Sequence, residues 1–412
     1  MIRILILVLV WILSIAFSVI WSYENPEKVE LIKNYFKKKQ SVEVKKVSSN
    51  IQKFTANSFN VEIEKVLDIN DKTAFITHPK NEEFDAKKLT IYTQSGSVIK
   101  NLIPKKIDLP NSFTLQRNGG IKTIIYNGQE VFALISAKEK DCFFALLTNI
   151  ENKRELLKTE CLPEKAKNND FNGLGSSNLH VGEKILFSIG TPEKHASKNS
   201  LLAQDENSKF GKILEIDKNQ LNKDQKVDVK VFSMGHRVPQ GLTKLRNQIF
   251  AVEHGPKGGD ELNAIKRKSN YGWPLASYGT NYMRDNGGDG KSYNVNHKKL
   301  NFTEPLFAFV PSVGISSLNT CPKKLISYYD KPCLMATSLY GNNLRKGHSI
   351  IIFLLNKQMN KVNSIEKIRL GNLVLRHFVT DTKNELFNYK DDEIYLSADK
   401  KGIFRLKFTN FR

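Results

Sequence analysis

The chain has 412 residues, 40% of them hydrophobic and 25% charged, with a formal net charge of +21. Such a composition is ordinary for a globular chain and ample for a sizeable core; the length suits two or three domains or one large closed β architecture. The charge would suit a nucleic acid, an anionic membrane or an acidic ligand, but no five basic residues run together, so a solvated Lys-rich surface is the plainer reading.

Residues 4–21 are an uninterrupted apolar run behind Arg3. At that length it meets the lower limit of a membrane-spanning helix. Two readings stand. Ala16 and Ser18 have the spacing of a signal-peptidase site, whereas the continuation through Val19, Ile20 and Trp21 favours an uncleaved anchor. Both put residues 24–412 outside the cytoplasm, periplasmic or otherwise extracytoplasmic, and the anchor would hold them at the inner membrane. Export also removes nucleic acid from the expected partners. Four cysteines, Cys142, Cys161, Cys321 and Cys333, then suit disulfides, and the local pairs are the simplest of three connectivities. No CxxC spacing supports zinc or dithiol chemistry.

Residues 23–54 read as a polar spacer, partly helical over KVELIKNYFKKK, with a thin apolar stripe at Val29, Ile32 and Tyr35. From residue 55 to the C-terminus one unit recurs: an apolar strand, a polar loop, a second apolar strand. The first strands are AFITH (74–78), VFALI (131–135), ILFSI (185–189), IFAVE (249–253), CLMAT (333–337) and IYLSA (394–398). Their second positions lie 57, 54, 64, 84 and 61 residues apart. Strand-only repeats of this size predict an all-β, six-bladed β-propeller, with a pair of β-sandwiches as the alternative. The widest gap, between the fourth and fifth units, holds a Gly-rich loop over 276–302.

Residues 235–274 are mostly turn chemistry: GHRVPQGL, then a strand, EHGPKGGDELN and NYGWP. Charged and aromatic side chains on Gly- and Pro-fixed turns suit a site on loops above a rigid scaffold. His254, Gly255 and Pro256 follow the fourth unit's strand, which places them at the channel mouth. Arg237 is suited to an anionic ligand by its planar fork of donors. Asp260 and Glu261, adjacent on a strand, would point to opposite faces, one supporting the loop and the other solvated. DNGGDGKS (285–292) lacks the first glycine of a phosphate loop, and Gly173-Leu-Gly175 lacks a third; neither supports nucleotide binding.

Those three motifs, in that order and spacing, resemble the soluble quinoprotein sugar dehydrogenases, the glucose/sorbosone dehydrogenase family. The likeness is strong over 235–279, traceable from about residue 170 onward and weak before it. It implies a six-bladed propeller and an exported oxidoreductase. That enzyme would oxidise a sugar or related alcohol with pyrroloquinoline quinone (PQQ) and calcium, and pass electrons to a respiratory-chain acceptor. Carried over residue by residue, Arg237, Ser312 and Arg376 would contact PQQ, with His254 beside them. The carbonyls of Gly255 and Pro256 would hold calcium. The family's catalytic His falls on Asn172, and an amide is not a general base; His180, eight residues on, is the alternative. The Asn after GHR is Val238, a family Lys falls on Tyr340, and one family Arg falls on Val374. These departures support a second expectation, a catalytically inactive propeller that binds a carbohydrate or a protein.

Overall fold

The computed structural model describes residues 21, 42–47, 50–163, 168–193, 198–221, 227–282, 290–339 and 348–412. The apolar run ahead of Trp21, the helix expected over 28–39, most of the 285–292 loop and Tyr340 lie outside the described residues. Among those described, no helix is long and apolar enough to cross a membrane.

Residues from Val42 to Arg412 form one unit, an all-β propeller of six antiparallel sheets. Blade one runs Thr73–Thr77, Thr90–Thr93, Ser97–Lys100 and Ile103–Lys106. Blade two runs Ile121–Asn127, Glu130–Glu139, Cys142–Asn149 and Glu155–Lys158. Blade three runs Asn178–Val181, Lys184–Ile189, Lys212–Asp217 and Lys230–Met234. Blade four runs Val238–Leu245, Gln248–His254, Asp260–Ile265 and Phe307–Phe309. Blade five runs Ile315–Thr320, Cys333–Ser338, Ser349–Leu355 and Val362–Arg369. Blade six takes Leu375–Phe378, Glu393–Ala398 and Gly402–Thr409 from the C-terminus and closes with Asn60–Ile69 from the other end of the unit.

The repeat count holds, but its phase is corrected. In five blades the first apolar strand read from the sequence is the blade's second strand; in blade one, AFITH (74–78) falls on the inner strand, Thr73–Thr77. The cause is burial. Second and third strands are covered on both faces by neighbouring blades, so strands such as Cys333–Ser338 and Ser349–Leu355 are buried throughout. Each large apolar side chain buried there contributes about 1.5–3 kcal/mol. The Gly-rich loop is also relocated. It lies within blade four, between its third strand and the outer strand Phe307–Phe309. Sheet pairing reaches into the stretch read as spacer, where Ile51–Thr55 and Val44–Lys45 pair with Asn60–Ile69. Both local disulfides form, between Cys142 and Cys161 and between Cys321 and Cys333.

Candidate functional site

In each blade the start of the inner strand, the end of the second and the turn into the third share one rim. On that rim the GHR and NYGWP turns of blades three and four are clamped together. Tyr271 N–H donates to the Met234 carbonyl (2.9 Å) and Trp273 N–H to the Gly235 carbonyl (3.0 Å). Gly235 has φ +75°, and a Cβ there would lie 2.1 Å from Asn270 Oδ1. Only glycine satisfies both the dihedral and the approach, which is why the two motifs occur together.

Arg237 lies just before blade four's inner strand and is buried. Its Nη1 donates to the Gly255 carbonyl (2.6 Å) and, more weakly, to that of His254 (3.4 Å). Its Nε lies 3.6 Å from Glu193 Oε1, and its guanidinium sits over the Trp273 ring at 5.1 Å. The Arg expected to meet a ligand therefore also braces the turn at Gly255. Asp260 braces the same turn from below: Oδ1 accepts from Gly255 N–H (3.1 Å), and Oδ2 from Val313 (3.0 Å) and Ile315 (3.1 Å) N–H. One carboxylate thereby ties blade four's turn to the segment that carries Ser312. A Cβ on Gly255 would fall 2.3 Å from both the Gly258 and the Gly259 carbonyl oxygens, so the turn 255–259 draws several carbonyls together.

His254 ends the second strand. Burial, opposed by Asp260 and reinforced by Arg237, lowers its pKa from the usual imidazole value. Its Nε2 and Ser312 Oγ are buried without a hydrogen-bond partner among the described residues. Arg376, in blade six's inner strand, is held by both carboxylate oxygens of Asp399 (Nη2 to Oδ2, 2.5 Å).

Behind Arg237 lies a small cleft of about 10 Å³, lined by Glu253, Glu261, Tyr271 and Trp273 among others. Glu253 accepts from His236 Nδ1 (3.0 Å), Arg237 N–H (2.8 Å) and Asn263 Nδ2 (2.8 Å). His236, fully buried with its other ring nitrogen against Ser233 Oγ (2.9 Å), is thus a support for this cluster. Glu261 sits directly across the strand pair from Glu253. It is buried, as Asp260 is, so neither of the adjacent pair is the solvated one expected, and burial with Glu253 opposite raises its pKa well above the ordinary carboxyl value. Asp260 and Glu261 do point to opposite faces.

Asn172 is exposed, on a single turn capped by Asp170, whose Oδ1 accepts from Asn172 N–H (2.9 Å). Gly173 of the same turn packs on Thr191, whose N–H donates to the Arg237 carbonyl (2.8 Å). Asn172 therefore shares the rim with Arg237. His180 does not. It pairs with Ile185, beside the hairpin turn at the other end of blade three. The strand Lys184–Ile189 that separates the two rims spans about 17 Å at roughly 3.3 Å per residue. The structure so corrects the alternative base: His180 is on the opposite rim, where burial and then Lys218 and Lys383 bring its pKa down to about 4. Val374 immediately precedes the inner strand of Arg376. Sequence reasoning missed Glu193, Glu253 and Trp273 as partners of Arg237. Glu253 closes an apolar alternation and Trp273 stands in a quoted motif; Glu193 has no local signal.

The glucose/sorbosone dehydrogenase family model matches residues 111–391. The chain belongs to that family. Among curated relatives of this glucose/sorbosone dehydrogenase family member, the aldose sugar dehydrogenase YliI of Escherichia coli is 38% identical over 122 residues, which cover 26% of this chain and 32% of the relative. Quinoprotein glucose dehydrogenase B of Acinetobacter calcoaceticus is 32% identical over 100 residues, 23% of this chain and 21% of the relative. The matched stretches thus span about a third or less of those proteins. A solved glucose dehydrogenase superposes with a TM-score of 0.61 at 19% identity, over 84% of this chain and 98% of the other, which supports the shared propeller fold.

Proposed function

We propose that this propeller is an oxidoreductase that oxidises a sugar or related alcohol at the rim described, with PQQ and calcium. One observation carries the reading: the family-matched positions Arg237, Gly255 and Pro256 of blade four, Ser312 ahead of blade five and Arg376 of blade six all lie on one rim. The residues present also fit the cofactor. Ser312 Oγ and His254 Nε2 are buried polar atoms in need of partners. The crowded carbonyls of turn 255–259 are the hard oxygen donors that calcium takes. A carbonyl oxygen has two lone pairs, so Gly255 can serve Arg237 and a cation together.

PQQ, when bound, supplies a two-electron acceptor, and calcium a Lewis acid beside it. The chain's part is binding and orientation. Arg237 and Arg376 offer planar, permanently charged forks to carboxylates. Asp260 holds the carbonyl turn and the Ser312 segment in register before any ligand arrives. The exposed Asn172 amide can donate to and accept from sugar hydroxyls. That same amide favours a second reading, a binding propeller without turnover. Export to an oxidising compartment, supported by the two disulfides, would give a respiratory-chain acceptor access to the enzyme.

The test is reconstitution of the full chain with PQQ and Ca²⁺, read by quinone absorbance and dye-linked oxidation of aldoses. Retained cofactor with turnover supports the enzyme. No retention at micromolar PQQ, or retention with no turnover on any aldose, overturns the enzyme and favours the inactive propeller that binds a carbohydrate or a protein.

A further inference from the structure

The channel end reached by Arg376 carries another cation, one that no motif marks. Lys122 is the second residue of blade two's inner strand, Ile121–Asn127. Its Nζ donates to the Asn118 carbonyl (2.9 Å). Asn118 Nδ2 in turn donates to Asp170 Oδ1 (3.1 Å), the oxygen that accepts from Asn172 N–H. From blade one, Gln94 Nε2 donates to the Asn118 (3.1 Å) and Gly119 (2.9 Å) carbonyls. Lys122 is therefore tied into the same rim as Asn172.

Groups from three other blades act on it: Asp170 ahead of blade three, Arg376 of blade six and Lys72 ahead of blade one. The carboxylates nearby are already engaged. Asp399 takes Arg376 and has Lys72 Nζ at 4.0 Å, while Asp170 caps its turn and holds Asn118. Among the described residues Lys122 makes no ion pair, and its hydrogen bond goes to a neutral carbonyl. Three cations thus stand at this end of the channel beside two carboxylates, and Lys122 is the one of them without an ion pair among the described residues. Lys122 is half-buried by its exposure; desolvation is the largest influence on its ammonium, Asp170 pulls the other way, Arg376 and Lys72 add to the desolvation, and the pKa is lowered to about 7.

We propose that Lys122 and Arg376 together form a carboxylate-binding site at this end of the channel, with a polycarboxylate as its ligand. In sequence the chain lacks two of the cations the family pattern would supply, at Val374 and Tyr340, and Lys122 adds one. Naming PQQ as that ligand rests on the function proposed above; the carboxylate chemistry does not. An anion between the two cations favours the charged amine, so binding draws a proton onto Lys122.

The experiment is isothermal titration of the full chain at pH 8 in two buffers of different ionisation enthalpy. One arm uses PQQ with Ca²⁺, the other citrate without Ca²⁺. Wild type should take up close to one proton per ligand, on the order expected for an amine of pKa about 7 at that pH. Lys122→Met should weaken binding about ten- to a hundredfold, the worth of a charge-assisted bond, and abolish the uptake. Lys122→Arg should bind but take up no proton, which decides the matter even if the Met variant folds poorly. PQQ binding unchanged in Lys122→Met overturns this inference and leaves the function reading intact. Lys122-dependent citrate binding without PQQ binding supports the site and overturns the PQQ reading. Binding of neither ligand overturns the site.

Discussion

Asp260→Ala probes how the rim is held. The carboxylate is buried and accepts from the Gly255, Val313 and Ile315 N–H groups at 3.0–3.1 Å. Each hydrogen bond to a charged group contributes about 1.5–3 kcal/mol. Against their sum stands the desolvation of an ionised carboxylate, several kcal/mol by itself. Removing the carboxylate leaves three buried donors without an acceptor, so the net loss should be roughly 3–5 kcal/mol, the range for breaking a buried charged network. Asp260→Asn separates charge from shape. Its amide oxygen can still serve Val313 and Ile315, and only Gly255 N–H faces a donor, so the loss should be about 1–3 kcal/mol. Urea unfolding of the full chain measures both, with the ordering Ala below Asn below wild type. An Ala variant within about 1 kcal/mol of wild type would refute the claim that this carboxylate ties blade four's turn to blade five.

Three other changes have worked-out signs. Gly255→Ala puts a methyl 2.3 Å from two carbonyl oxygens; the turn must open, and denaturant unfolding should show a loss of about 1–3 kcal/mol, as for other overpacked sites. Glu261 has a folded pKa raised above its unfolded one, so wild-type stability should fall as pH rises from about 4.5 toward the folded value. Glu261→Gln should remove that slope and be the more stable protein at pH 8, read as unfolding midpoints across pH; a wild type with no such slope would contradict the raised pKa. Replacing Cys142 and Cys161 by serine opens a link across 19 residues. The chain-entropy estimate for such a loop is about 3 kcal/mol, measurable by chemical denaturation and by its disappearance under reducing conditions in wild type.

The sequence announces the strands that neighbouring blades cover on both faces, since these are continuous apolar runs. Inner strands are quieter. Asn178–Val181 and Leu375–Phe378 line the channel, are short, and mix Asn, His and Arg with apolar residues. Blade one misled because its inner strand, Thr73–Thr77, is itself fully buried. The GHR and NYGWP turns were legible because glycine at 235 is forced by backbone approach. Glu193 and Lys122 were not, because each reaches the rim from a blade whose local sequence carries no motif. The imidazole at 180 looked available only until strand direction placed it on the far rim.

The central claim is that the rim of Arg237, Gly255, Ser312 and Arg376 is a cofactor site. The most direct measurement is the visible absorbance of PQQ retained by the full chain after removal of free cofactor, with and without Ca²⁺, in wild type and Arg376→Met. The account predicts calcium-dependent retention by wild type and strongly reduced retention by the variant. Wild type that retains no PQQ at micromolar concentration, or a variant that retains as much as wild type, would contradict it.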